Sequence, residues 1–342
     1  MTSQPHTLNA VIFGVEGPRL SFWEKAFFAD TQPFGFILFA RNVETADQLR
    51  ALCSDLRTAV GWNAHILIDQ EGGRVQRLVP PMATQFLPPL DHAASAGAGA
   101  MDAFFARYAI IGHELRGYGI DVNCAPNLDI ARDHTHPFLQ NRCYGRTRDD
   151  VSALGRAAYD GLLASGVMPV IKHMPGHGMA VADSHKGLSR VTESYDYLIE
   201  NDFAVFADFS DAKMGMSAHI LFDAIDPLWP ATLSPRIIDI MRRELALDGL
   251  LMTDDLSMEA LPGTIPTRAM AAQRAGIDIV LHCNGNAGEM QSVAEVLERP
   301  TPKTRQRMQA AIGARDALVP QSLDIDALHA QLGVNANQIQ ET

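Results

Sequence analysis

Residues 35–69 read GFILFARNVETADQLRALCSDLRTAVGWNAHILID, and the fold turns on this stretch. It opens on an apolar run, GFILFA at 35–40, and closes on another, AHILID at 64–69. Between them, residues 45–60 carry apolar side chains at helical spacing behind Thr45, whose hydroxyl suits an N-cap. Continuous apolar runs are expected of strands covered on both faces, as in a parallel sheet. Strand, helix, strand is then a crossover between parallel neighbours.

The alternation continues in both directions. Further apolar runs fall at 10–15, 120–124, 167–172, 213–219, 249–254 (GLLMTD) and 277–282, making eight in all. Helical periodicity fills 101–118, 150–165, 194–209, 234–247, 267–275 and 288–297, and the first connection, near 19–30, is the least patterned. This predicts a single-domain α/β protein, a (β/α)8 TIM barrel spanning residues 1–342 with its core at about 8–300. A doubly wound open sheet is the competing architecture. The C-terminal segment, 301–342, is expected to add a helix at 303–317, outside the repeat, and a polar tail from Asn335.

Composition narrows the function classes. A net charge of -12 argues against a nucleic-acid partner, which needs a basic face. No run approaches the ~18 apolar residues that cross a bilayer, so no membrane association is expected. Met1 to Leu8 lacks a basic region followed by an apolar one, and the expected location is the cytoplasm. Cys53, Cys124, Cys143 and Cys283 are too scattered for a zinc ribbon or a disulfide scaffold and are expected to be buried thiols.

Barrel active sites lie at the C-terminal ends of the strands. Here those ends are polar. The third run leads into Asp69, Gln70 and Glu71, two glycines, Arg74 and Arg77; the fourth into Asn127 and Asp129. The fifth ends in Lys172 and His173 before Pro175, Gly176, His177 and Gly178; the sixth ends at His219, and the seventh in Asp254 and Asp255. The opposite strand ends are expected to carry no such cluster. There is no Gly-x-Ser-x-Gly elbow, Walker loop, dinucleotide fingerprint or His-Glu-x-x-His helix. His173 and His177 are four apart, but Pro175 and Gly176 between them prevent a shared helical metal face. Carboxylates, cationic donors for hydroxyl groups and a loop bearing Asp183-Ser184-His185 remain, which is the material of glycosidase chemistry.

Three segments resemble glycoside hydrolase family 3, in its single-domain β-N-acetylhexosaminidase branch. They are Ile68-Asp-Gln-Glu-Gly-Gly-Arg-Val-Gln-Arg77, Lys172-His-Met-Pro-Gly-His-Gly178 followed by Asp183-Ser-His185, and Thr253-Asp-Asp-Leu-Ser-Met258. Met174 stands where the family usually has an aromatic residue, a change expected to affect packing behind the site. The resemblance implies that Asp254 is the nucleophile of a retaining mechanism, and that His185, oriented by Asp183, is the general acid/base. It also implies that Asp69, Arg77, Arg142, Lys172 and His173 bind the sugar. Glu71 is expected to partner a nearby arginine, and His177 to support its loop.

The implied activity is exo-hydrolysis of terminal β-linked N-acetylglucosamine from glycan or muropeptide substrates in peptidoglycan recycling. The resemblance implies a monomer with no metal and no organic cofactor. A β-glucosidase of the same family and a non-catalytic sugar-binding barrel are competing assignments. Phosphorolysis is a third, since a histidine acid/base repels phosphate less than a carboxylate would.

Overall fold

The computed structural model describes residues 8–180 and 187–334. In chain order the barrel strands are β1 (Asn9–Gly14), β2 (Pro33–Leu38), β3 (His65–Ile68), β4 (Val122–Asn123), β5 (Met168–Pro169 and, beyond Val170, Ile171–Met174), β6 (Met214–Ser217), β7 (Leu250–Asp255) and β8 (Ile279–His282). Every pairing among them is parallel. β1 pairs with both β2 and β8, Ile12 lying opposite Gly35 and Val11 opposite Val280. The two halves of β5 bridge the remaining neighbours, with Met168 opposite Val122 of β4 and Ile171 opposite Gly215 of β6. The sheet closes on itself, so the open-sheet architecture is excluded.

Closure explains the unbroken apolar runs. One face of each strand packs into the barrel interior and the other against a helix, so Val11, Phe36, Ile66, Val122 and Val280 are all fully buried. Met174 belongs to this core. A Cβ on Gly215 would lie 2.4 Å from the Met174 sulfur, so the glycine across the sheet makes the room the methionine fills.

The helices follow their caps. Thr45 caps Ala46–Val60 through the Gln48 N–H, and Gly61 ends that helix at a φ of 72°. The weakly patterned first connection is the helix Phe22–Thr31, started by a complete capping box between Ser21 and Glu24. The helix expected at 194–209 is two, Tyr195–Glu200 and Asp202–Ala207, because Asn201 leaves helical geometry. The break turns Asp202 inward, where both its oxygens take Arg132, at 3.0 and 2.7 Å.

The helix expected at 303–317 is Pro302–Asp316, outside the repeat, and its arginines reach the base of the barrel. There Asp278 takes Arg242, Arg307, Thr304 and the Leu251 N–H, while Asp121 takes Arg57, Arg315 and the Ile66 N–H. The N-terminal strand ends therefore do carry charge clusters, completed by arginines that reach them from helices. A helix not anticipated, Ile325–Leu332, is capped by Asp324 and packs on Ala100–Gly117. The four cysteines are buried free thiols. Among the described residues no helix is long and apolar enough to cross a membrane.

Candidate active site

The segment after β3 folds back on itself as a small hairpin, Gln70–Gly72 against Val75–Gln76. Its turn requires Gly72 and Gly73, which sit at φ of 83° and 66°. A Cβ on Gly72 would also come within 2.3 Å of the Arg107 guanidinium. The buried Gln70 side chain ties the hairpin together by accepting from the Arg77 and Leu78 N–H groups and donating to the Leu78 carbonyl. This returns Arg77 to Asp69, Nη2 to Oδ2 at 3.0 Å.

From β5, Lys172 rises between the two acids of that segment. Its Nζ is 2.8 Å from Asp69 and 2.6 Å from Glu71. Arg142 meets Glu71 with two parallel bonds, Nε to Oε2 at 3.0 Å and Nη2 to Oε1 at 2.8 Å. Glu71 is thus an arginine's partner, as expected, and also a lysine's. From behind, Arg107 and Tyr108 donate to its backbone carbonyl. Burial alone would raise these carboxyls. Arg142 and Lys172 instead lower Glu71 to about 2, and Lys172 and Arg77 hold Asp69 well below the usual range. Lys172 is opposed by burial but raised by both acids. Asp69, Lys172 and Glu71 therefore stay ionised at neutral pH, and the chain Arg77–Asp69–Lys172–Glu71–Arg142 is preorganised.

Asp129, beyond β4, orients the rest. It binds His173 Nδ1 at 2.7 Å and the His177 N–H at 2.7 Å, which fixes the ring of the first and the backbone of the second. Burial lowers His177 to about 4 despite Asp129, so its ring is neutral. The loop then crosses residues 130–136, with Thr135 donating to the Gly178 carbonyl and His136 N–H to that of Ala180. Asp183 and His185 lie outside the described residues.

Asp254 ends this circle on β7. Its Oδ1 accepts the Asp255 N–H at 2.8 Å. Burial alone would raise its carboxyl, but His219, His173, that N–H and Lys172 together lower it. Among the described residues it forms no ion pair. Asp255 instead shapes the turn after the strand, where its carboxylate takes the Ser257 and Cys283 N–H groups.

Asp69, Arg77, Arg142, Lys172, His173 and Asp254 all line one cavity of about 310 Å³ at the C-terminal end of the barrel. This lies at the lower bound of ligand pockets, roughly 300 Å³, and suits one sugar ring better than a chain of them. Phe39 and Phe138 complete its walls and were not anticipated. Each ring carries guanidinium groups: Arg41 and Arg77 at 4.9 and 5.2 Å from Phe39, Arg74 and Arg142 at 3.9 and 5.5 Å from Phe138. Asp129 was visible only as a polar strand end. No local pattern marks Phe138, which reaches the cavity from a one-turn helix, Pro137–Gln140.

A closed parallel barrel whose strand C-termini gather cationic side chains around a carboxylate with no ion pair among the described residues is the arrangement of a barrel glycosidase. Residues 15–313 match the glycosyl hydrolase family 3 N-terminal domain, and the chain belongs to that family. A β-hexosaminidase of Methylococcus capsulatus is 33% identical over 321 residues, covering 91% of this chain and 95% of its own. One of Alkalilimnicola ehrlichii is 34% identical over 314 residues, covering 88% of each. Neisseria gonorrhoeae NagZ, solved with N-trifluoroacetyl-D-glucosamine, superposes with a TM-score of 0.83 at 28% identity over 96% of this chain and 95% of that one. A family 3 β-N-acetylglucosaminidase from Paenibacillus gives a TM-score of 0.86 at 28% identity over 94% of this chain, which spans 66% of that enzyme.

Proposed function

We propose that the protein is a retaining exo-β-N-acetylglucosaminidase, with Asp254 as nucleophile. The observation that carries the assignment is the contrast among the cavity's carboxylates. Asp69 is occupied by two cations, whereas Asp254 faces the cavity ionised and without a cationic partner among the described residues. Asp69, Arg77, Arg142, Lys172 and His173 hold the sugar hydroxyls and the acetamido group. Lys and Arg supply only donors, and Asp69 supplies acceptor lone pairs.

Asp254 attacks the anomeric carbon while His185, oriented by Asp183, protonates the departing oxygen. The same imidazole then takes a proton from water, which displaces Asp254 and frees the sugar with its β configuration retained. A cavity sized for one ring, together with the relatives named β-hexosaminidase, supports removal of a single terminal residue. The aglycone is a muropeptide fragment handled in cytoplasmic peptidoglycan recycling, and the enzyme acts as a monomer.

Release of nitrophenol from 4-nitrophenyl N-acetyl-β-glucosaminide tests the assignment, with wild type beside Asp254→Asn. Turnover that disappears in the variant is the expected result. Turnover of the glucoside alone would make the protein a β-glucosidase, and silence on both sugars would leave a sugar-binding barrel.

A further inference from the structure

Beside Asp254 lies a buried histidine that does not line the cavity. His219 follows β6 and is 1% exposed. Its Nε2 is 3.0 Å from the carbonyl oxygen of Asp255, and its Nδ1 is 2.8 Å from Oγ1 of Thr232. A carbonyl only accepts, so Nε2 carries a proton. Burial lowers the pKa of the ring although Asp254 and Asp255 oppose this, and the neutral ring then accepts at Nδ1. The Thr232 hydroxyl shares its proton between Nδ1 and the Ala218 carbonyl, 3.0 Å away, and accepts in turn from Ser217 Oγ at 2.8 Å.

Asp255 is consequently held at three places. Its carbonyl meets His219 and accepts the Met258 N–H at 3.2 Å, its carboxylate takes the N–H groups of Ser257 and Cys283, each at 3.1 Å, and its own N–H points at Asp254 Oδ1. Since Asp254 has no cation to fix its plane among the described residues, that N–H is its orienting contact. The direction of the N–H depends on how residue 255 is clamped.

We infer that His219 is a positioning residue for the nucleophile: by pinning the Asp255 carbonyl it aims the Asp255 N–H at one Asp254 oxygen and leaves the other for the anomeric carbon. This rests on Asp254 being the nucleophile. The contact matters to both chemical steps, formation and cleavage of the bond to Asp254, and not to sugar binding. Attack needs reacting atoms about 3–3.5 Å apart, and a misplacement of about 1 Å can cost ~100-fold.

The experiment compares His219→Ala, His219→Gln and Thr232→Val with wild type, reading kcat on the nitrophenyl substrate and the inhibition constant of free N-acetylglucosamine. His219→Ala is expected to lower kcat by roughly 30- to 100-fold while the inhibition constant stays within about twofold. His219→Gln, whose amide N–H can replace Nε2–H, is expected to recover about tenfold of that loss. Thr232→Val keeps the ring but frees its tilt, for a loss of about three- to tenfold in kcat alone. Unchanged kcat in His219→Ala, equal losses in kcat and sugar binding, or no recovery by glutamine would overturn the inference. If the alanine variant does not fold, Thr232→Val carries the test, and an unchanged kcat there overturns it. Should wild type turn over only the glucoside, the same comparison is made on that substrate, because the nucleophile is common to both. Inactivity of wild type on both sugars would remove the assignment of Asp254 and this inference with it.

Discussion

At the N-terminal end of the barrel, Asp278 commits Oδ2 to Arg242 and the Leu251 N–H, and Oδ1 to Arg307 and Thr304. At the C-terminal end, Asp254 receives one backbone N–H among the described residues, and it lines the cavity. Both acids sit at ends of the same sheet, yet one has its lone pairs taken by protein donors and the other keeps acceptor capacity on the cavity side among the described residues. Asp69 and Glu71 fall between these extremes. They are paired, but Asp69 and its partners still line the cavity. What separates Asp278 from Asp254 is the hydrogen-bonding capacity left over, more than residue type. A buried pair is weak evidence of added stability, but breaking one is costly because it strands the other charge.

The largest expected effect falls on the open carboxylate. Asp254→Asn should lower kcat by ~10⁴-fold or more while leaving the melting temperature unchanged or higher, since it removes a half-buried charge with no cationic partner among the described residues. A melting temperature that fell with activity would blur the distinction between the two ends.

Glu71→Gln probes the intermediate case. It leaves Arg142 without its bidentate partner and Lys172 with Asp69 alone, so stability should fall by ~3–5 kcal/mol and the Michaelis constant should rise. Glu71 also sets a pH dependence of known sign. Its folded pKa of about 2 lies below the ordinary value of 4.5, so its contribution is present above pH 4.5 and is lost as pH falls toward 2. Urea titrations at pH 3 and 7 should show the variant and wild type converging at the acid end.

Asp278→Asn breaks the closed cluster at the base. The expected loss is ~2–4 kcal/mol of stability, with kcat and the Michaelis constant of the folded enzyme unchanged. A kinetic effect on the folded protein would mean that the two ends are coupled.

The smallest effect concerns a carboxyl near neither cluster. Glu114 accepts from the N–H and hydroxyl of Thr84, which also contacts His329 of the C-terminal helix. Burial outweighs the two Thr84 bonds and raises Glu114 from 4.5 to about 7. A raised folded pKa means its contribution is fully present below about pH 4.5 and fades as pH rises through 7. Glu114→Gln should match wild type near pH 4 and exceed it at pH 8, by about 3 kcal/mol at most. Equal stability curves at both pH values would contradict the burial argument.

The amino-acid sequence exposed the barrel because each strand is covered twice, so its apolar run is unbroken and easily told from a helix. It exposed much of the site because strand ends must lie where barrel catalysis occurs, which singled out Asp69, Lys172, His173 and Asp254. It was blind to Arg57, Arg242, Arg307 and Arg315 as strand-end partners, because nothing in a helix's own pattern says which distant carboxylate a long side chain will reach. It gave no sign of Phe138 in the cavity wall, for the same reason of distance along the chain. The helix break at Asn201 was hidden as well, since the inward turn of Asp202 answers to Arg132, 70 residues earlier.

Local pattern by itself determined the order and kind of the eight barrel strands and the residue types gathered at one end of the barrel. Only the tertiary structure decided which of those charges neutralise one another and which carboxylate has no ion pair among the described residues. That distinction depends on hydrogen bonds between segments far apart in sequence, and these exist only once the barrel has closed.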